Sequence, residues 1–182
     1  MNEHGQNLAR FFEKQPAVAL AFSGGVDSSY LLYAARRAGC RVQPYYVKTR
    51  FQPEFEFADA KRLCAELGAE MRVIHADILA VDEVRANPAN RCYFCKRAIF
   101  SRILSAAQAD GFSLVIDGTN ASDDASDRPG MRALREMQVR SPLREAGLTK
   151  AEIREASRQA GLFTWDKPAY ACLATRIPAG TA

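Results

Sequence analysis

Three groups of residues have side chains and spacings suited to chemistry. The first is Ser23-Gly24-Gly25-Val26-Asp27-Ser28-Ser29. Two adjacent glycines let the backbone turn tightly and let an anion reach main-chain amides with no side chain in the way. Ser23, Ser28 and Ser29 add hydroxyl donors, and Asp27 is a hard oxygen ligand able to hold Mg²⁺ against phosphate oxygens. A helix starting here would leave its first amides unpaired and favour a bound anion by about 0.3–1 kcal/mol. No Lys follows the glycines, so this is not the Gly-x-x-x-x-Gly-Lys-Ser/Thr loop, nor is it the Gly-x-Gly-x-x-Gly dinucleotide pattern. The plain alternative is a Gly-Gly turn that binds nothing.

The second group is Asp117-Gly118-Thr119-Asn120 with Asp123 and Asp124 beyond it. Gly118 permits close backbone approach, Thr119 can bond a phosphate or ribose oxygen, and one of the two aspartates, here assigned as Asp124, can reach a metal. A simple turn is the competing reading.

The third group is cysteine. Cys92 and Cys95 are three apart, so on a helix they share a face, and Cys172 can add a third thiolate. A structural zinc prefers four ligands, and neither His75, inside an expected strand, nor His4, near the N-terminus, offers a ready fourth. Three thiolates with an open position suit a [4Fe-4S] cluster whose fourth iron can take an added ligand such as sulfide. A redox dithiol and two inert thiols are the alternatives. Cys40 and Cys64 lie among apolar neighbours and read as core.

The elements needed to position these groups are visible as periodicity. Ala17 to Phe22 is an unbroken apolar run ending in the double glycine, as expected for a strand covered on both faces. A helix follows, capped by Asp27 or Ser28, with Tyr30, Leu31, Ala34 and Ala38 in register before Gly39. Arg41 to Lys48 reads as a strand, Phe55 to Leu67 as a helix, and Met71 to His75 as a third strand. A helix from Asn90 to Ala109 carries Cys92 and Cys95 in its first turns, Ser113 to Ile116 is a fourth strand, and Met131 to Met137 is a short helix. Thr149 and Glu152 form a capping box for a helix running to Ala160. Phe163 to Ala182 has no periodicity and reads as loop. The expected fold is an open parallel α/β sheet with helices on both faces.

The chain has 182 residues, room for one ordinary domain. Its 25 Lys plus Arg against 21 Asp plus Glu are interspersed, which gives no nucleic-acid or membrane surface. No apolar run suits a membrane span or a signal core, so a soluble cytoplasmic protein is expected. Five cysteines, an odd number, argue against a disulfide framework.

The first segment resembles the PP-loop of the ATP pyrophosphatase superfamily, whose Ser-Gly-Gly-x-Asp-Ser signature binds the β and γ phosphates of ATP. That resemblance implies the adenine nucleotide α-hydrolase-like fold, with the nucleotide across the carboxyl ends of the strands and adenine against the backbone of Tyr46-Val47-Lys48. Asp117-Gly118-Thr119-Asn120 is similar to the Gly-Thr segment of such enzymes. Adding Arg91-Cys92-Tyr93-Phe94-Cys95-Lys96, Arg128-Pro129-Gly130, Arg140-Ser141-Pro142-Leu143 and Pro168-Ala169-Tyr170-Ala171-Cys172-Leu173-Ala174-Thr175-Arg176, the chain resembles the LarE family of ATP-dependent sulfur transferases. These sulfurate pyridinium-3,5-biscarboxylic acid mononucleotide on the way to the nickel-pincer nucleotide.

The resemblance implies ATP and Mg²⁺, adenylation of a carboxylate, and displacement of AMP by a sulfur nucleophile. It places Cys172 at the sulfur-transfer position. With Cys92 and Cys95 also present, it points to the branch thought to hold a [4Fe-4S] cluster rather than the branch that sacrifices its cysteine sulfur. Arg176 would contact a substrate phosphate or carboxylate. Residues 1–162 are expected to form the ATP-binding domain, and 163–182 to begin a longer substrate and sulfur-transfer region. The expected partner is a small-molecule nucleotide substrate in a homo-oligomer, without membrane or nucleic acid. A PP-loop tRNA thiolase is the nearest rival but should be more basic; an amide-forming synthetase leaves the cysteines without a task, and a non-catalytic nucleotide-binding module stays open.

Overall fold

The computed structural model describes residues 2–123, 129–170 and 172–181. Its sheet holds β1 (Ala17–Ala21), β2 (Arg41–Lys48), β3 (Arg72–His75) and β4 (Val115–Ile116), all parallel, in the order β3-β2-β1-β4. The helices are α1 (Glu3–Lys14), α2 (Val26–Arg37), α3 (Glu54–Glu66), α4 (Asp82–Arg85), α5 (Arg91–Ala109), α6 (Pro129–Glu136), α7 (Pro142–Glu145) and α8 (Lys150–Gln159). No helix among the described residues is long and apolar enough to cross a membrane.

Alternation along β1 separates Val18 and Leu20 from Ala19 and so divides the core in two. Val18 and Leu20 pack with Leu31 and Leu32 of α2, Leu63 of α3 and Ile153 of α8. Ala19, with Tyr45 and Val47 of β2, packs with Phe100 and Ile103 of α5 and Leu134 of α6. Covering both faces explains why β1 and β4 are apolar runs without a polar side. Cys40 and Cys64 are buried, and burial pushes the Cys64 thiol up to about 12.

Three helices lie where no helix was expected. In α1 the apolar stripe is only Leu8, Phe11 and Phe12, yet Leu8 and Phe12 are buried and the Asn2 side chain accepts from the Gly5 amide to start the turn. The other two, α4 and α7, are single turns, too short to show a period. The stretch after residue 162 is also more regular than loop, with a 3₁₀ turn at Leu173–Arg176. The fourth strand is shorter than expected, with only Val115 and Ile116 on the ladder beside β1.

The capping box of α8 is present: the Thr149 hydroxyl oxygen accepts from the Glu152 amide and the Glu152 carboxylate accepts from Thr149. His4 adds a contact at 2.9 Å. Hydrogen bonds from the Thr149 backbone and side chain, and then His4, hold the Glu152 carboxyl down at about 2. A depressed carboxyl stabilises the fold above its unfolded pKa, about 4.3, and that contribution fades as pH falls toward the folded value. Glu152→Gln is therefore expected to lower the melting temperature at pH 7 and to flatten its decline between about pH 4.3 and pH 2. Thermal melts across that window check it; parallel curves for the two proteins would disprove it.

Candidate active site

The strand order decides where the sequence motifs meet. From β1 the chain goes to β2 and β3 on one side and returns to β4 on the other. The loops after β1 and β4 therefore face each other at the carboxyl edge, which is where open α/β sheets bind ligands. Gly118 shows how close they come. A Cβ there would lie 3.0 Å from the Ser28 amide nitrogen and 3.3 Å from the Asp27 Cβ. Its close approach is to the start of α2. Between the loops lies a cavity of about 350 Å³, lined among others by Ser23, Gly25, Asp27, Ser28, Thr119 and Asp123, with Tyr46 and Val47 at the β2 end.

The helix start differs from the expected one. Neither Asp27 nor Ser28 is the cap: Gly25 holds that position in extended geometry with no side-chain cap bond, and α2 begins at Val26. The Ser28 hydroxyl donates to the Gly25 carbonyl at 3.3 Å and lies 3.1 Å from the Ser23 hydroxyl, which shapes the turn. Among the described residues no side chain caps the first-turn amides, the condition an anion site needs. Gly24 has φ 72, and a Cβ there would meet the Ala60 Cβ at 2.8 Å. Gly24→Ala is expected to cost about 1–3 kcal/mol and to weaken ATP binding, since both backbone strain and α3 oppose it. Denaturant melts and nucleotide titration test this; wild-type values for both would refute it.

Two serine and threonine placements depart from expectation. Ser29 is fully buried, and its hydroxyl has no hydrogen-bond partner among the described residues, because its place on α2 turns it toward the core. Thr119 does line the cavity, but its hydroxyl donates to the Asp117 carboxylate at 2.5 Å, and Ser141 donates to the same carboxylate at 2.6 Å.

Asp27 is the electrostatic centre. Lys150 donates to one carboxylate oxygen at 2.7 Å, while the other oxygen, Oδ1, is buried without a partner among the described residues. Burial raises the Asp27 pKa, the Lys150 contact opposes that rise, and the negative charge of Asp123 adds to it. Two carboxylates, Asp27 and Asp123, thus border one cavity, and one oxygen of Asp27 is buried with no donor among the described residues. Lys150 was not singled out in the sequence. The signal was there: a lysine in the first turn of α8 opposes the helix dipole, which invites a second reason for its presence. Lys96, one residue beyond Cys95, also lines the cavity. Asp124 and Arg128 lie outside the described residues.

Cys92 is exposed and Cys95 half-buried in the first turns of α5, and Cys172 is exposed. Burial pushes the Cys95 thiol up to about 11, and the nearby Arg91 guanidinium opposes the shift. Cys172 borders a second cavity, of about 310 Å³, together with Ser23, Gly25, Asp27 and Lys150. The thiol and the glycine loop thus share a wall. Arg176 instead donates to the Tyr170 hydroxyl at 2.8 Å and lies over its ring, on the exposed side of the tail.

The chain is 37% identical over 177 residues to an uncharacterized protein of Synechocystis sp., covering 96% of this chain and 66% of that protein. It is 33% identical over 166 residues to the pyridinium-3,5-bisthiocarboxylic acid mononucleotide synthase of Lactiplantibacillus plantarum, covering 90% of this chain and 60% of the relative. The chain thus spans about two thirds or less of the length of these relatives. Among solved structures, the NH3-dependent NAD synthetase of Campylobacter jejuni superposes with a TM-score of 0.68 at 20% identity, covering 94% of this chain and 80% of that one. That likeness shows a PP-loop type of fold. No family model matches the chain.

Proposed function

Because the chain belongs to the LarE family of PP-loop ATP-dependent sulfur transferases, we propose that it adenylates a carboxylate of pyridinium-3,5-biscarboxylic acid mononucleotide and replaces the AMP with sulfur. The observation that carries this reading is that the uncapped start of α2, the unfilled oxygen of Asp27 and the Cys172 thiol border adjoining cavities.

The first-turn amides of α2 and the Ser23 and Ser28 hydroxyls bind the β and γ phosphates. Asp27 fits Mg²⁺, since Oδ1 is a buried carboxylate oxygen with no donor among the described residues, and Asp123 supplies a second carboxylate bordering the same cavity. A bound Mg²⁺ would supply charge neutralisation of the departing phosphates. Lys150, which donates to the other Asp27 oxygen at 2.7 Å, holds its ammonium at the edge of the same site, where it can add positive charge beside the phosphates. The substrate carboxylate oxygen attacks the α-phosphorus, the bond to the β-phosphate oxygen breaks, and pyrophosphate leaves. Sulfur then attacks the acyl carbon, and the carbon–oxygen bond to AMP breaks.

Cys92, Cys95 and Cys172 are proposed as ligands of a [4Fe-4S] cluster. The thiol count and the spacing of Cys92 and Cys95 on one helix support this, although no three His, Cys, Asp or Glu side chains among the described residues stand ready as a metal-ligand group. Held by those three thiolates, such a cluster would supply an open position for an added sulfur ligand.

The test is incubation with ATP, Mg²⁺ and the pyridinium dicarboxylate mononucleotide. Pyrophosphate release that depends on the carboxylate, with a thiolated product, is expected; ATP turnover indifferent to the carboxylate would overturn the reading. Anaerobic reconstitution should retain about four irons and lose them when any one of the three cysteines becomes Ser. Stoichiometric zinc in the anaerobically purified protein would overturn the cluster.

A further inference from the structure

The chain beyond α8 is fastened on both sides of Cys172. Before it, the Lys167 ammonium lies 3.1 Å from a Glu56 oxygen and 2.8 Å from an Asp59 oxygen of α3. Lys167 and Glu56 are largely buried, at 13% and 14% side-chain exposure, so this is not a solvated surface pair. Arg154 of α8 adds a fork, donating to the Trp165 carbonyl at 2.7 Å and the Lys167 carbonyl at 2.8 Å.

After Cys172 the anchor is Asn87, a buried residue in the left-handed region at φ 48. Its side-chain amide donates to the carbonyls of Pro178, at 2.8 Å, and Thr181, at 2.9 Å, and its own carbonyl accepts from the Gly180 amide at 2.8 Å. Its side-chain oxygen accepts from Arg91, the first residue of α5, next to Cys92. One side chain thus grips both the tail and the helix end that bears two of the thiols. Between the anchors, Cys172 lies on the wall of the Asp27 cavity, and the Leu173 amide donates to the Phe51 carbonyl at 3.3 Å.

This fastening is costly and adds little to the core. A left-handed non-glycine residue costs about 1–3 kcal/mol, and burying a lysine between two carboxylates costs desolvation. Of residues 172–181 only Ala174 is buried. The two anchors therefore serve the placement of the segment more than the stability of the domain.

We infer that Asn87 and Lys167 are positioning residues for sulfur transfer: they hold the tail as a strap that keeps Cys172 between the nucleotide cavity and the thiols at the start of α5. The inference rests on the proposed function for the step it serves, but the placement is measurable without that step.

The experiment follows disulfide formation between Cys95 and Cys172 in the full chain carrying Cys92→Ser, equilibrated with reduced and oxidised glutathione and read by mass spectrometry. The parent forms the disulfide. Asn87→Gly, which keeps the backbone freedom and removes the grip, lowers the effective concentration of the two thiols by at least about tenfold. Asn87→Asp keeps the acceptor for Arg91 but has no donor for the two carbonyls, and produces the same loss. Lys167→Met also produces it, and Lys167→Arg, able to span both carboxylates, restores the parent value. With Cys92 present, the same anchor variants release pyrophosphate within about twofold of wild type while thiolated product falls with the loss of placement. Equal disulfide yield in parent and anchor variants, or none in the parent, would overturn the strap. A strap-dependent disulfide in a protein that never thiolates the substrate would instead overturn the proposed function and leave the strap standing.

Discussion

Asp27→Asn lowers carboxylate-dependent pyrophosphate release by about a thousandfold or more, and it raises the melting temperature at pH 7. Both effects come from the same buried oxygen. Oδ1 has no donor among the described residues, and burial raises the carboxyl's pKa despite the Lys150 contact. A carboxyl whose pKa is raised by folding stabilises the protein while protonated, and that contribution is lost as pH rises through the folded value. Ionised Asp27 is therefore a cost to the fold that a bound cation offsets. The amide of Asn removes the charge at nearly constant shape, so the apoprotein gains stability while the metal–phosphate site is lost. Melting curves with and without Mg²⁺ and ATP separate the two: the ligands raise the wild-type midpoint and leave that of Asp27→Asn nearly unchanged. Unchanged pyrophosphate release in the variant would remove Asp27 from the site.

Cys172→Ser lowers thiolated product by about a thousandfold or more and leaves pyrophosphate release within about twofold. The split follows from placement. Cys172 borders the Asp27 cavity, but the groups assigned to the phosphates belong to the loop after β1 and the first turn of α2, and no hydrogen bond among the described residues joins the Cys172 side chain to them. A hydroxyl is a far weaker nucleophile and iron ligand than a thiolate at neutral pH, so either sulfur route fails. The mass of the wild-type protein after turnover then separates the routes. A loss of about 34 Da, the mass of H₂S, marks a sacrificed cysteine sulfur, whereas an unchanged mass with accumulating product marks sulfide supplied from outside. Parallel loss of pyrophosphate release and thiolation in Cys172→Ser would show that the residue supports the nucleotide site itself.

Much of this arrangement was legible in the chain. Arg41–Lys48 forms the strand that its apolar pattern predicts, with the same limits, and Thr149 and Glu152 make the capping box their spacing announces. The glycine pair stands between the first strand and a helix whose first amides have no side-chain cap among the described residues. The LarE resemblance carried by six short segments agrees with a relative aligned over 90% of the chain. What escaped was short or narrow: the single turns of α4 and α7 span too few residues for a period, and α1 has a thin apolar stripe in a polar sequence.

By itself the sequence determined the local pieces: which runs are strands, where the backbone must turn at Gly24, and which cysteines stand outside the core. Those features depend on residues a few positions apart, where steric preference and the spacing of apolar side chains act directly. Only the tertiary structure decided that Ser29 turns inward, that Gly118 abuts the start of α2, that Lys150 pairs with Asp27 across 123 positions, and that Asn87 fastens the tail beside α5. The physical reason is the strand order β3-β2-β1-β4, which brings the loops after β1 and β4 to one edge of the sheet. Burial between those loops then selects which charges meet, and no local pattern encodes that choice.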